Sequence, residues 1–148
     1  MPIVGFNLSK VLAEKNNPVQ KGTTVNNNLE IKEISKAAIN MGERDEEVLR
    51  FDFEFSAEYN PEVGRVHIAG EVLYMDKEKE IKRILENWKE TKIVEPEIFS
   101  RIMNSVLVKC NIKALGLALE VNLPPHLNMP LLAQGQKDEG EKTKGYIG

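Results

Sequence analysis

An α+β fold, with a four-stranded antiparallel sheet followed by two helices packed on one of its faces, is what this sequence predicts. Three observations lead there. Apolar and polar residues alternate with period two through the first half of the chain. The period lengthens to that of a helix after Asp76. Clusters of Asn, Pro and Gly cut the first half into strand-length pieces.

The first strand spans residues 3–14, where Val4, Phe6, Leu8 and Leu12 have the even spacing of a half-buried strand. Asn16-Asn17-Pro18 ends it, because proline cannot donate to a ladder. Residues 25–34 form a second strand in which Leu29 and Ile31 alternate and Ile34 breaks step, the mark of a bulge. Residues 40–47 read as a charged loop. The third strand, residues 48–59, is the clearest. Leu49, Phe51, Phe53, Phe55, Ala57 and Tyr59 point one way, and Val48, Arg50, Asp52, Glu54, Ser56 and Glu58 the other, so one face is core and the other wet and acidic. Asn60-Pro61-Glu62-Val63-Gly64 turns the chain back into residues 65–75, with Val66, Ile68, Gly70, Val72 and Tyr74 on the core side and His67, Ala69 and Glu71 outward.

Asp76 is placed to cap a first helix whose Ile81, Ile84, Leu85 and Trp88 repeat at helical spacing. Pro96 suits the first turn of a second helix that runs to about Val121, where Asn122-Leu123-Pro124-Pro125 stops it. The proline-rich run to Leu132 should be extended, and the polar stretch from Ala133 on disordered. The expected division is therefore a folded domain over 1–132 and a tail over 133–148.

The second helix carries too much apolar surface for a two-layer monomer. At about 100° per residue, Phe99, Met103, Val106, Cys110, Ala114, Leu117 and Val121 gather on one side, the stripe expected to cover the sheet. Val108, Ile112, Leu115 and Leu119 form a second stripe well away from it, and Ser105, Lys109, Lys113, Gly116 and Glu120 form the polar strip. In the C-terminal half the apolar arc covers roughly 240°, where a one-sided helix needs little more than about 100°. Burial of each Val, Ile or Leu is worth roughly 1.5–3 kcal/mol, so something should cover the second stripe. Either the chain's own exit run folds back with Leu127, Met129 and Leu131, or the stripe is an interface in a homo-oligomer.

Residue chemistry points away from an enzyme. The chain of 148 residues has 41% apolar residues and a net charge of -3 without a basic cluster, which argues against nucleic acid as the main partner. It has no glycine-rich phosphate loop. No uninterrupted apolar run reaches the roughly 20 residues of a membrane span, and the N-terminus lacks a signal-like pattern, so a cytoplasmic, membrane-free protein is expected. Cys110 lies on the apolar stripe and reads as structural. His67, near Glu71, reads as a solvated pair, and His126 as a packing or turn residue. Their separations match no metal site, and no cofactor is expected. The row Phe51, Phe53, Phe55 is core. Asp52, Glu54 and Glu58 share the wet strand face and are either solvated or a docking surface for a basic partner.

Strands first, helices after, then a proline-rich exit make an unusual order. The passage Gly70-Glu71-Val72-Leu73-Tyr74-Met75-Asp76 resembles the end of the fourth strand in the export chaperone SecB. Ile112-Lys113-Ala114-Leu115-Gly116-Leu117 with Val121-Asn122-Leu123-Pro124-Pro125 resembles that family's long helix and exit loop. The chain is also similar to small archaeal proteins that carry this domain. The resemblance implies dimers or tetramers that sandwich their helices between sheets, apolar grooves that hold unfolded polypeptides without ATP, and docking of a partner on acidic sheet positions, with Asp52 and Glu54 nearest. A specific interaction or adaptor module is the alternative.

Overall fold

The computed structural model describes residues 3–128. Four strands, β1 (Ile3–Lys15), β2 (Thr24–Asn40), β3 (Asp45–Asn60) and β4 (Gly64–Tyr74), precede two helices, α1 (Glu78–Thr91) and α2 (Pro96–Glu120). All neighbouring strands are antiparallel, in the order β1-β4-β3-β2. β2, β3 and β4 form a meander, and β1 closes on β4, so the connection after β1 crosses to the far edge of the sheet. This is a Greek-key order. The α+β architecture expected from the sequence is the one observed.

The alternation in β3 and β4 fixes the core. Leu49, Phe51, Phe53, Phe55, Ala57 and Tyr59 are buried on the helix side, facing Tyr74, Val72, Gly70, Ile68, Val66 and Gly64 across the ladder. Phe51 meets Tyr74 edge to face at 6.1 Å, and Phe6 stacks on Phe53 at 5.5 Å. Gly70 makes this possible: a Cβ there would strike the Asn7 carbonyl on β1 and the Phe53 ring. Val48 is also buried, although its place in the alternation puts it on the outer side, where exposure was expected.

The other strands depart from expectation in physical detail. In β1, register shifts at Val4 and Ser9 change which residues face inward. Ile3, Phe6, Leu8, Val11 and Ala13 lie opposite core-side residues of β4, while Leu12 lies opposite outward His67, so the even-numbered set does not share one face. The bulge expected in β2 falls between Ile31 and Glu33. β2 is longer than expected, and no eight-residue loop follows it. Ala37 pairs with Val48 and Ile39 with Glu46, and the turn is closed by the Met41 amide on the Arg44 carbonyl at 2.8 Å. The charged residues there sit on the arms of an exposed hairpin, where the ladder satisfies the backbone and side chains stay wet.

α1 begins one residue later than a cap at Asp76 would place it. Lys77 is the cap position, and Asp76 accepts from the Lys77 amide at 2.7 Å and from the Tyr74 hydroxyl at 3.2 Å. Ile81, Ile84, Leu85 and Trp88 are buried as expected. α2 starts with Pro96 at its first turn and lies over β4 and β1, while α1 lies over β2 and β3. α2 ends as the Leu123 amide donates to Ala118 O at 2.8 Å, with Asn122 in the left-handed region at φ 60°. Residues 129–132 of the proline-rich run and the whole stretch from Ala133 lie outside the described residues.

Candidate interaction surface around the second helix

The core stripe of α2 is Ile98, Ile102, Val106, Cys110, Ala114 and Ala118. These residues follow strict four-residue spacing, a row that drifts slowly around the helix and runs obliquely across the sheet. Of the seven residues expected to cover the sheet, Val106, Cys110 and Ala114 are buried in the core, and Leu117 and Val121 pack half-buried against it. Met103 is half-buried and Phe99 is exposed. Periodicity alone places a stripe parallel to the helix axis, whereas the contact follows the angle at which the helix crosses the sheet.

The second stripe lies on the side away from the sheet. Val108 is 59%, Ile112 68% and Leu119 65% exposed, with Leu115 half-buried between them. Among the described residues nothing covers it. α2 is also long and apolar enough to cross a membrane by length and composition, which corrects the expectation that no segment is. Its core stripe, however, is joined to the sheet as in a helix of a folded domain.

The exit run does fold back, but onto the flank of α2. Leu123 is buried. The Tyr59 hydroxyl donates to Pro124 O at 2.5 Å, and Asn27 Nδ2 donates to His126 O at 3.0 Å. His126 is 4% exposed, with its ring edge-on to Phe55 at 5.7 Å and its Nε2 at 2.9 Å from Asn111 Oδ1. Burial pushes its basicity below the usual histidine range, and its Nδ1 is buried with no hydrogen-bond partner among the described residues. Beside it is a cleft of about 180 Å³ lined by Asn27, Asn28, Leu29, Phe55, Leu107, Asn111 and Leu127. That is room for one apolar side chain, below the roughly 300–1,000 Å³ of a small-molecule site. Of the fold-back residues expected, Leu127 takes this flank, while Met129 and Leu131 fall outside the described residues. This latch was legible only as a packing role for His126; its anchors Asn27 and Tyr59 are about 100 and 65 residues away in sequence.

The outer sheet face is charge-paired. Asp52 accepts from Arg50 Nε at 2.8 Å, and the same group lies 3.6 Å from Glu71. Glu54 lies 3.1 Å from Lys32 Nζ and 3.2 Å from His67 Nε2. The Lys32 hydrogen bond, first among the causes, holds the Glu54 carboxyl below its ordinary range. His67 thus meets Glu54, and Glu71 faces Arg50. Glu58 is exposed. The three expected docking carboxylates do share one strand face, but two of them already hold cations.

Chemistry in the remaining sites is sparse. Cys110 is 1% exposed, and burial pushes its thiol up to about 11, leaving it protonated and unreactive at neutral pH. A depression of about 450 Å³ lies where the β1 exit meets the β3–β4 turn. Its lining of Glu14, Asn16, Asn17, Glu58, Tyr59, Asn60, Glu62, Gly64 and Arg65 is polar and open, and Glu14 is held by Arg65 at 2.9 Å. Among the described residues no three His, Cys, Asp or Glu side chains are grouped to hold a metal ion.

No family model matches the chain, and no curated protein matches it. Among solved structures the chain is similar to a SecB-like chaperone of Mycobacterium tuberculosis, in complex with a peptide from the HigA1 antitoxin. The TM-score is 0.43 at 13% identity, over 91% of this chain and 92% of that one.

Proposed function

We propose that this chain is a non-catalytic polypeptide-binding protein: a cytoplasmic homo-oligomer, dimer or tetramer, that holds apolar segments of non-native chains without ATP. The observation that supports it is the uncovered apolar surface around α2. Val108, Ile112 and Leu119 stand in water on one side, and the side-chain-sized cleft at Leu29, Leu107 and Leu127 opens on another. The two surfaces suit two tasks. The stripe is long and continuous, as a helix-to-helix contact between subunits needs. The cleft is small and largely apolar, with three asparagines among its lining residues, and suits one side chain of an extended segment whose backbone needs partners.

The same activity is what the resemblance of Gly70–Asp76 and Ile112–Leu117 to the SecB family implies. Within this proposal Asp52, Glu54 and Glu58 form a docking face for a basic partner, which would have to exchange with Arg50 and Lys32.

The test is suppression of aggregation of a heat-denatured model protein by the full chain. Suppression without nucleotide is expected. Unchanged aggregation at several-fold molar excess would overturn the proposal. Co-purification separates the adaptor alternative, since a single stoichiometric partner supports an adaptor and a spread of clients supports a holding chaperone.

A further inference from the structure

Residues 122–128 are anchored to the body by a small set of contacts that converge on one imidazole. Leu123 plugs the core, Tyr59 holds the Pro124 carbonyl, Asn27 holds the His126 carbonyl, and Asn111 holds the His126 ring. Because Asn111 offers its carbonyl oxygen to Nε2, the ring's proton sits on Nε2 and Nδ1 carries a bare lone pair. That nitrogen is buried and meets no donor among the described residues. A second proton would place a full positive charge at Nδ1, with no acceptor in reach among the described residues.

The groups around the ring offer that charge no relief. α2 presents Asn111, β3 presents Phe55, and β2 presents Asn27, all uncharged. Tyr59, which holds the Pro124 carbonyl, has its phenol pushed above its usual range by burial. Burial likewise pushes the basicity of His126 down.

We propose that residues 122–128 form a proton-released strap: closed while His126 is neutral, and let go when His126 takes a second proton. Release withdraws Leu123 and His126 from the body and bares Phe55 and the flank of α2 at Leu107 and Asn111, extending the cleft along β2. The strap stands on its own contacts and does not depend on the chaperone proposal. In water the freed ring titrates at its ordinary 6.5. Each pH unit below that raises the open population by up to about tenfold, or about 30-fold by pH 5.

The test is amide hydrogen exchange of residues 122–128 in the full chain at pH 7.5 and pH 5, corrected for intrinsic rates, with the Leu123 amide as the main probe. Expected is a loss of protection of about tenfold or more at pH 5, while Val66 and Ile68 in β4 stay protected. His126→Phe, which keeps an apolar ring in the site, should retain protection at both pH values. Asn111→Asp supplies a carboxylate to the charged ring and should move release to lower pH, a readout that stands if His126→Phe fails to fold. Equal protection of the native strap at both pH values overturns the proposal. So does the native pH dependence persisting in His126→Phe, or a release pH unmoved by Asn111→Asp.

Discussion

The two helices lie on the same sheet and use their surfaces in opposite ways. α1 buries Ile81, Ile84, Leu85 and Trp88 and gives the rest of its circumference to charged and polar residues. Its fold accounts for every apolar residue it carries. α2 buries six residues on a row of four-residue spacing and still exposes Val108, Ile112 and Leu119 on the far side. The difference teaches where burial stops among the described residues: at α1 they satisfy the hydrophobic effect among themselves, and at the outer stripe of α2 they do not.

Substitution can break that contrast. Ile102 is 1% exposed in the core, so Ile102→Ala should cost about 3 kcal/mol of stability in urea unfolding, from lost transfer energy plus a cavity. Ile112→Ala, with the same chemistry on the same helix, should change subunit stability by less than about 0.5 kcal/mol while weakening self-association. Comparable costs at the two positions would mean the second stripe is covered within the subunit. A stability effect between these two is expected at the exit run. Tyr59→Phe removes the hydroxyl that holds the Pro124 carbonyl and should cost about 1 kcal/mol.

The smallest expected effect concerns α1 and its docking on β2. The Trp88 indole donates to Glu33 at 2.7 Å, and this hydrogen bond, with the Ile34 amide at 3.0 Å, holds the Glu33 carboxyl below its ordinary 4.5. A carboxyl depressed in the folded state contributes stability that is complete above its unfolded value and is lost as pH falls through the folded one. Trp88, the sole tryptophan, should therefore change fluorescence only below about pH 4.5, and Glu33→Gln should remove that inflection. The His126 strap behaves in the opposite window: its neutral form is required, so its contribution is complete above 6.5 and declines as pH falls from there. The two elements should thus loosen in sequence during acidification, strap first.

How much was legible in the sequence follows the range of the interactions. β3 and β4 could be read residue by residue because a two-residue period is local and both strands are covered on one face. The bulge in β2 showed as a break in step at Ile34. The faces of β1 could not be read, because its shifts at Val4 and Ser9 depend on the partner strand. The outer stripe of α2 was legible as excess apolar arc, whereas the core stripe was misdrawn at Phe99 because the crossing angle is a property of packing, absent from periodicity. The His126 latch needed Asn27, Tyr59 and Asn111 brought together from three elements, and no local signal marks such a convergence. The ion pairs of Glu54 share that origin, since Lys32 and His67 come from other strands.

The central claim, that α2 is built to be covered by another copy of the chain, is tested most directly by light scattering across a range of concentrations, comparing the native chain with Ile112→Glu. The account predicts a native dimer or tetramer and a folded monomer for Ile112→Glu, with its circular dichroism unchanged. A native chain that stays monomeric at high concentration, with Val108 and Ile112 in water, would contradict it.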